Sequence, residues 1–183
     1  FQKFDILMYR QGIKEKFYNE ILKRNKGIRG IAVVQTHRPP KIPDWATHVV
    51  WNSKTVMDQF YKDFPKKIHH YIPHGFDPDE FKNLKIDRNN RVLTSASLFQ
   101  QRDMEMGYSI WRGVADNLGI LDVLGHGNDK MSESIGCFAL EELVKIYNSY
   151  SIYLNTTTRS AMPRSRGEAL MCGTPLITTK NYD

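Results

Sequence analysis

The sequence predicts an α/β protein with two parallel-sheet domains. Three observations carry that prediction. Short apolar runs alternate with stretches of helical period along most of the chain. The runs are almost continuously apolar, as strands covered by helices on both faces are. The alternation lapses once, over residues 73–90 (PHGFDPDEFKNLKIDRNN), which are polar, turn-rich and without period. Residues 1–72 are therefore read as the remainder of an N-terminal Rossmann-like domain, 73–90 as an interdomain linker, and 91–183 as a C-terminal Rossmann-like domain. The pattern is cut off at each end, so both domains are expected to be truncated.

Residues 5–9 (DILMY) read as the first strand. A helix is expected over 13–26, with Ile13, Phe17, Ile21 and Leu22 on its apolar face. Lys23, Arg24 and Lys26 suit its C-terminus, and Gly27 ends it. Strands follow at 31–35 (IAVVQ), 48–51 (HVVW) and 67–72. Between the last two, Ser53 caps a helix that runs to about Phe64, before Pro65. Beyond the linker, strands are expected at 91–95, 121–124, 151–155 and 175–179. Helices fill the gaps at 105–118, 139–149 and 164–172. Leu140, Leu143, Val144 and Tyr147 form the apolar stripe of the second of these.

The bulk numbers bound the function. The chain has 183 residues, 40% hydrophobic and 25% charged, which is ordinary globular composition. No apolar run reaches the ~20 residues that span a bilayer. Two cysteines, Cys137 and Cys172, are too few for a disulfide framework and fit a reducing, cytoplasmic setting. The net charge of +6 fits a soluble basic surface. It equally fits attraction to a nucleotide, a nucleic acid or an acidic membrane surface, so peripheral membrane contact stays open. No Gly-x-Ser-x-Gly, Walker loop or Cys-x-x-Cys occurs.

The most informative stretch is 156–179 (TTTRSAMPRSRGEALMCGTPLITT), a loop, a short helix and a strand. Arg159, Arg164 and Arg166 surround the expected helix start, where free N–H groups and the helix dipole favour an anion. Ser165 can offer its N–H or hydroxyl there, or act only as a cap. Glu168 is expected in the helix's first turn, where it either stabilises the helix or accepts hydrogen bonds from a sugar diol. In a parallel sheet, loops after the strands' carboxyl ends share one edge. That edge would gather 96–102, 125–129 and 156–165, and with them Arg102, His126, Arg159 and Arg164. Each residue also has a plain reading. The arginines can be solvated, Gly75 can be a hinge turn, Gly125 and Gly127 a tight turn, and His126 an exposed loop residue.

In that order the segments resemble the retaining glycosyltransferases of the GT-B fold, in particular glycosyltransferase family 4 (glycosyl transferases group 1). Glu168-Ala169-Leu170 with Gly173 and Pro175 is similar to the second half of that family's Glu-x7-Glu motif. Pro73-His74-Gly75-Phe76-Asp77 and Phe81 resemble its interdomain segment, and Leu124-Gly125-His126-Gly127 its Gly-x-Gly strand end. Thr36-His37 resembles its first-domain strand-end histidine. Ser160 stands where the first glutamate falls, and Gln101 and Met106 stand at its phosphate-binding arginine and lysine. Arg102 is one place from the former.

The resemblance implies two facing Rossmann-like domains, with the N-terminal one on the acceptor side. It implies a retaining, metal-independent hexosyltransferase-like enzyme with no cofactor beyond a nucleoside-diphosphate-sugar donor. Its acceptor would be a hydroxyl of a glycan, lipid, protein or nucleic-acid base. His37, Arg102 and Arg164 take catalytic roles under this reading. Glu168, Ser165, Gly75, Ser160, Gly125, His126 and Gly127 bind the donor. The alternatives are a non-catalytic nucleotide-sugar or glycan-binding module, prompted by Ser160, and sugar transfer to modified nucleic-acid bases, prompted by the charge. Asp77-Pro78-Asp79 and His69-His70 read as a turn and as opposite-face strand neighbours rather than metal sites.

Overall fold

The computed structural model describes residues 5–10, 13–159 and 163–180. The chain divides into two compact units, the first ending at His74 and the second beginning at Gly75.

The first unit contains β1 (Ile6–Arg10), α1 (Glu15–Arg24), β2 (Arg29–Val34), β3 (His48–Trp51), α2 (Lys54–Phe60) with a 3₁₀ turn at Tyr61–Asp63, and β4 (Ile68–Tyr71). Its four strands are parallel and lie in sequence order, β1-β2-β3-β4. Ser53 caps α2, its hydroxyl accepting from the Val56 N–H at 3.1 Å, as the sequence predicts. The face of α1 differs from expectation. Ile13 and Phe17 are exposed, and the buried residue is Tyr18. Tyr18 packs between the rings of Tyr9 and Trp45 at centroid distances of 5.1 and 5.5 Å. Its hydroxyl accepts from the Arg10 N–H at 3.1 Å. A ring with a polar tip satisfies a backbone donor that an aliphatic side chain would leave unpaired.

The two adjacent histidines of β4 do point apart. Trp51 Nε1 donates to His69 Nδ1 at 3.0 Å, so the proton of His69 sits on Nε2, 3.0 Å from the Phe64 carbonyl. His70 instead meets His48 across the strands at 3.0 Å.

The second unit contains β5 (Asn89–Ser95), α3 (Asp103–Met106), α4 (Tyr108–Leu118), β6 (Leu121–Leu124), β7 (Ser134–Gly136), α5 (Leu140–Ser149), β8 (Tyr150–Asn155), α6 (Arg164–Met171) and β9 (Leu176–Thr178). The sheet is parallel throughout, in the order β7-β6-β5-β8-β9. One core cluster lies around Phe81, Leu93, Tyr147 and Tyr153. The other lies around Phe99, Trp111, Leu121 and Val123.

Two elements depart from the sequence reading. The strand β7 has only three residues, too few to show a period. The helix expected over 105–118 is two helices, because Gly107 adopts φ 71° and breaks it. A Cβ at Gly107 would lie 2.0 Å from the Thr156 carbonyl oxygen, so the chain crosses itself there at a distance only glycine allows.

The stretch 75–90 lacks regular structure until β5 begins, yet it is packed into the second unit. Phe81 is 1% exposed and stacks near Tyr147. Asn148 accepts from the Leu84 N–H at 2.7 Å and donates to the Lys82 carbonyl at 3.0 Å. Arg88 donates to the carbonyls of Tyr150 and Cys172 and to the Thr174 hydroxyl. Asp77 turns the chain by accepting from the Asp79 N–H. Gly75 does not take the left-handed conformation, and a Cβ there meets nothing within 4 Å. Gly75→Ala is accordingly expected to leave the denaturant midpoint within about 1 kcal/mol of wild type, with any change upward, because only the unfolded chain loses freedom.

Among the described residues no helix is long and apolar enough to cross a membrane.

Candidate functional site

The strand order of the second sheet locates the site. From β5 the chain winds outward to β6 and β7, then returns to the other side of β5 for β8 and β9. Loops leaving β5 and β8 diverge at such a reversal and leave a crevice beyond the strands' carboxyl ends. Ser95 ends β5 and Asn155 ends β8, so the crevice lies between them.

The three expected loops do gather on this edge. The loops after β5 and β6 are bonded to each other through Ala96 N–H to Leu124 O at 2.9 Å and Leu98 N–H to His126 O at 2.7 Å. Buried Asn128 locks them further. It donates to the carbonyls of Ala96 and Gly125 and accepts from the Phe99 N–H. The loop after β8 is held by α3, since the N–H groups of Thr158 and Arg159 both donate to Glu105 O, and the Thr156 hydroxyl donates to Met106 O. Gly125 has φ 131°, and a Cβ there would sit 2.3 Å from the Ala96 carbonyl oxygen. The Gly-x-Gly sequence is thus first a device for bringing two strand ends into contact. Gly127 (φ 75°) abuts the Leu98 side chain, while Leu98 itself is a non-glycine residue at φ 52°. Backbone held in that region is a cost that surrounding bonds must offset.

The helix α6 supplies the charged groups. Its first turn has no side-chain cap and no acidic residue, and its N-cap is Pro163. Arg164 and Arg166 occupy that turn, where the helix dipole disfavours cations. Helix stability gives no reason for them there, whereas an anion at the same end does. Glu168 lies one turn further in than its expected first-turn position. The helix-dipole explanation for this carboxylate therefore falls away.

Glu168 is nearly enclosed, its side chain 14% exposed. Its Oε2 accepts from the Tyr147 hydroxyl at 3.2 Å, and its Oε1 lies 3.6 Å from Arg164 Nε. Burial raises its pKa above the ordinary carboxylate value, opposed by the Tyr147 hydrogen bond and the Arg164 charge and reinforced by Glu80. Burial also pushes the Tyr153 phenol up to about 12 and raises that of Tyr147, so both are neutral donors.

The sign of the resulting pH dependence follows from proton counts. Between the ordinary carboxylate value and the raised one, the folded state binds more protons than the unfolded state. Stability therefore falls as pH rises through that window. Glu168→Gln is expected to remove this fall, which urea midpoints of both proteins from pH 4 to 8 would show.

The structure brings Arg164, Ser165 and Glu168 together on one helix, with Gly125, His126 and Gly127 in a loop on the same sheet edge. Ser165 lies in the first turn of α6. His126 and Arg102 are exposed, Arg102 standing at the N-cap of α3. Arg164 is more committed than expected, since it pairs with Glu168 while remaining 58% exposed. Gly75 precedes Phe76, whose ring presses on Gly167 of α6. His37 lies in the first unit, in the loop after the carboxyl end of β2. Ser160 lies outside the described residues. Tyr147, Tyr153 and Ser95 had no signal as site-shaping residues, because buried polar groups inside elements follow no spacing rule, and Asn128 was legible only as part of the loop 125–129.

The architecture defines a class. Two parallel α/β units in one chain, the second with a strand-order reversal, is the GT-B type of fold. Solved glycosyltransferase structures share it. The chain superposes on the Anabaena protein HepE, solved with UDP and glucose, with a TM-score of 0.68, 13% identity, 96% of this chain and 59% of that one. For the pneumococcal O-GlcNAc transferase GtfA, solved with UDP and GlcNAc, the values are 0.67, 14%, 94% and 41%. For the sucrose-phosphate synthase of Thermosynechococcus elongatus they are 0.65, 12%, 88% and 53%. The chain thus spans about half the length of these structures. No family model and no curated protein matches it by sequence.

Proposed function

We propose that the second unit binds a nucleoside-diphosphate sugar and that the protein to which this chain belongs transfers the sugar to a hydroxyl acceptor, with retention and without a metal. The observation that carries this reading is that α6 carries two arginines in its first turn, one of them, Arg164, paired with the enclosed carboxylate of Glu168, at the strand-order reversal. Glu168 accepts from the ribose hydroxyls. Ser165 and the first-turn N–H groups of α6 receive the diphosphate, with Arg164 and Arg102 as guanidinium partners. As the glycosidic bond breaks, charge grows on the leaving diphosphate, and fixed donors aimed at it lower the barrier. Gly125, His126 and Gly127 line the sugar side, Gly75 borders the donor, and His37 serves the acceptor side. That HepE and GtfA were solved with UDP supports a nucleotide ligand.

The test is a thermal-shift panel of UDP-, GDP-, ADP- and TDP-sugars on wild type and Glu168→Ala. One nucleotide class is expected to raise the wild-type Tm and to do so far less in the variant. Equal shifts in both proteins would remove Glu168 from the site. The non-catalytic reading is favoured by Gln101, Met106 and Ser160, which stand where the resembled family has basic and acidic donor ligands. Release of free nucleoside diphosphate only when acceptor is present decides for transfer. Anomeric analysis of the product checks retention, and unchanged turnover in a chelator checks metal independence.

A further inference from the structure

The hydroxyl of Tyr147 has no packing role, and its position is costly. Tyr147 is 1% exposed, with its ring against Phe81 and Tyr153 at 6.5 and 5.8 Å between centroids. Phenylalanine would fill that volume equally well without a hydroxyl to desolvate. The hydroxyl is placed on Glu168 Oε2 at 3.2 Å. Beside it, the Ser95 N–H donates to the Tyr153 hydroxyl at 3.3 Å, and the Tyr153 ring packs edge-on against that of Tyr147. Ser95 is the last residue of β5, and Tyr153 lies in β8. The Tyr147 hydroxyl thus fastens the carboxylate on α6 to α5, while its ring rests on Tyr153 of β8, which Ser95 of β5 holds in turn. The hydroxyl fixes one carboxylate oxygen from below. The other, Oε1, faces the half-exposed Arg164 and the open side.

We propose that Tyr147, its ring held against Tyr153, is a positioning residue that holds Glu168 so that its outward oxygen reads a ribose hydroxyl, making the site selective for ribonucleotides over deoxyribonucleotides. This rests on the nucleotide reading above. An unbraced carboxylate would swing toward Arg164, since the two are four residues apart on one helix face. A braced one meets the sugar with no reorganisation, which is where discrimination between a hydroxyl and a hydrogen arises.

The experiment compares Tyr147→Phe, Glu168→Gln and wild type by calorimetry with UDP, GDP and ADP and their 2′-deoxy and 3′-deoxy forms. Wild type is expected to prefer the ribonucleotide of one base by roughly 10-fold or more, and Tyr147→Phe to reduce that preference to about 2-fold, with the deoxynucleotide Kd unchanged. In the doubly substituted protein the two losses should not add. If Glu168→Gln loses the preference while Tyr147→Phe keeps it, the positioning role is wrong and the nucleotide site stands. Equal weakening of ribo- and deoxynucleotides in Tyr147→Phe would show a merely structural tyrosine. Absence of binding by every nucleotide to wild type would overturn the site itself.

Discussion

Gly107→Ala is expected to destabilise the second unit by on the order of 4 kcal/mol. The residue sits at φ 71°, and its missing Cβ would fall 2.0 Å from the Thr156 carbonyl oxygen and 2.9 Å from the carbonyl carbon. These are backbone atoms, so no side-chain rotation relieves the overlap. Thr156 in turn holds Met106 O through its hydroxyl, so a shift there unfastens α3 from the loop after β8. At about 2–4 °C per kcal/mol for a chain of this size, the loss corresponds to roughly 8–16 °C in Tm. Hydrogen exchange should show the loss of protection in 103–118 and 150–159, with the first unit unaffected. A variant within about 1 kcal/mol of wild type would mean that the crossing of these segments is looser than described. Gly75→Ala is the matched control, since the same substitution there meets open space.

Asn128→Ala comes next in size, at roughly 3–5 kcal/mol. Asn128 is 2% exposed. Its amide donates to Ala96 O at 2.6 Å and Gly125 O at 3.0 Å, and its oxygen accepts from the Phe99 N–H at 3.0 Å. Truncation leaves buried backbone groups unpaired in two loops at once. Asn128→Asp should be no milder, because a carboxylate would face two carbonyl oxygens with no proton to give them. Urea unfolding measures both. Nucleotide binding should fall along with stability in each, since these loops form one wall of the crevice.

The alternation of strand and helix was plain in the sequence, and with it the edge on which three loops meet. That much follows from strand polarity alone. Glu168, Arg164 and Ser165 were visible because they cluster within one short segment. What stayed hidden has physical reasons. β7 is Ser134-Ile135-Gly136, a strand too short to carry a pattern. Gly107 fell inside the helix expected over 105–118, because the backbone it must avoid lies some fifty residues away in the chain. Tyr147 was placed on an apolar stripe and Tyr18 was not singled out, whereas each uses its ring for the core and its hydroxyl for one specific partner. Asn128 and Asn148 looked like loop or helix-end polars and are buried fasteners. Glu168 lies a turn deeper than the first turn assigned to it, because a helix that starts at Arg164, as expected and as found, has its fifth residue at 168.

The seam between β5 and β8 has a consequence for how the second unit assembles. Val92 pairs with Ile152 and Leu93 with Tyr153, while β5 meets β6 much closer in sequence. Closing the longer loop costs more chain entropy and comes later when contacts form in order of separation. The β5-α4-β6 portion can therefore organise before β8, α6 and β9 dock onto it. The crevice does not exist until that docking is complete. A nucleotide seated there would bridge an early-forming half and a late-forming half of the same domain, and its binding energy would act directly against their separation.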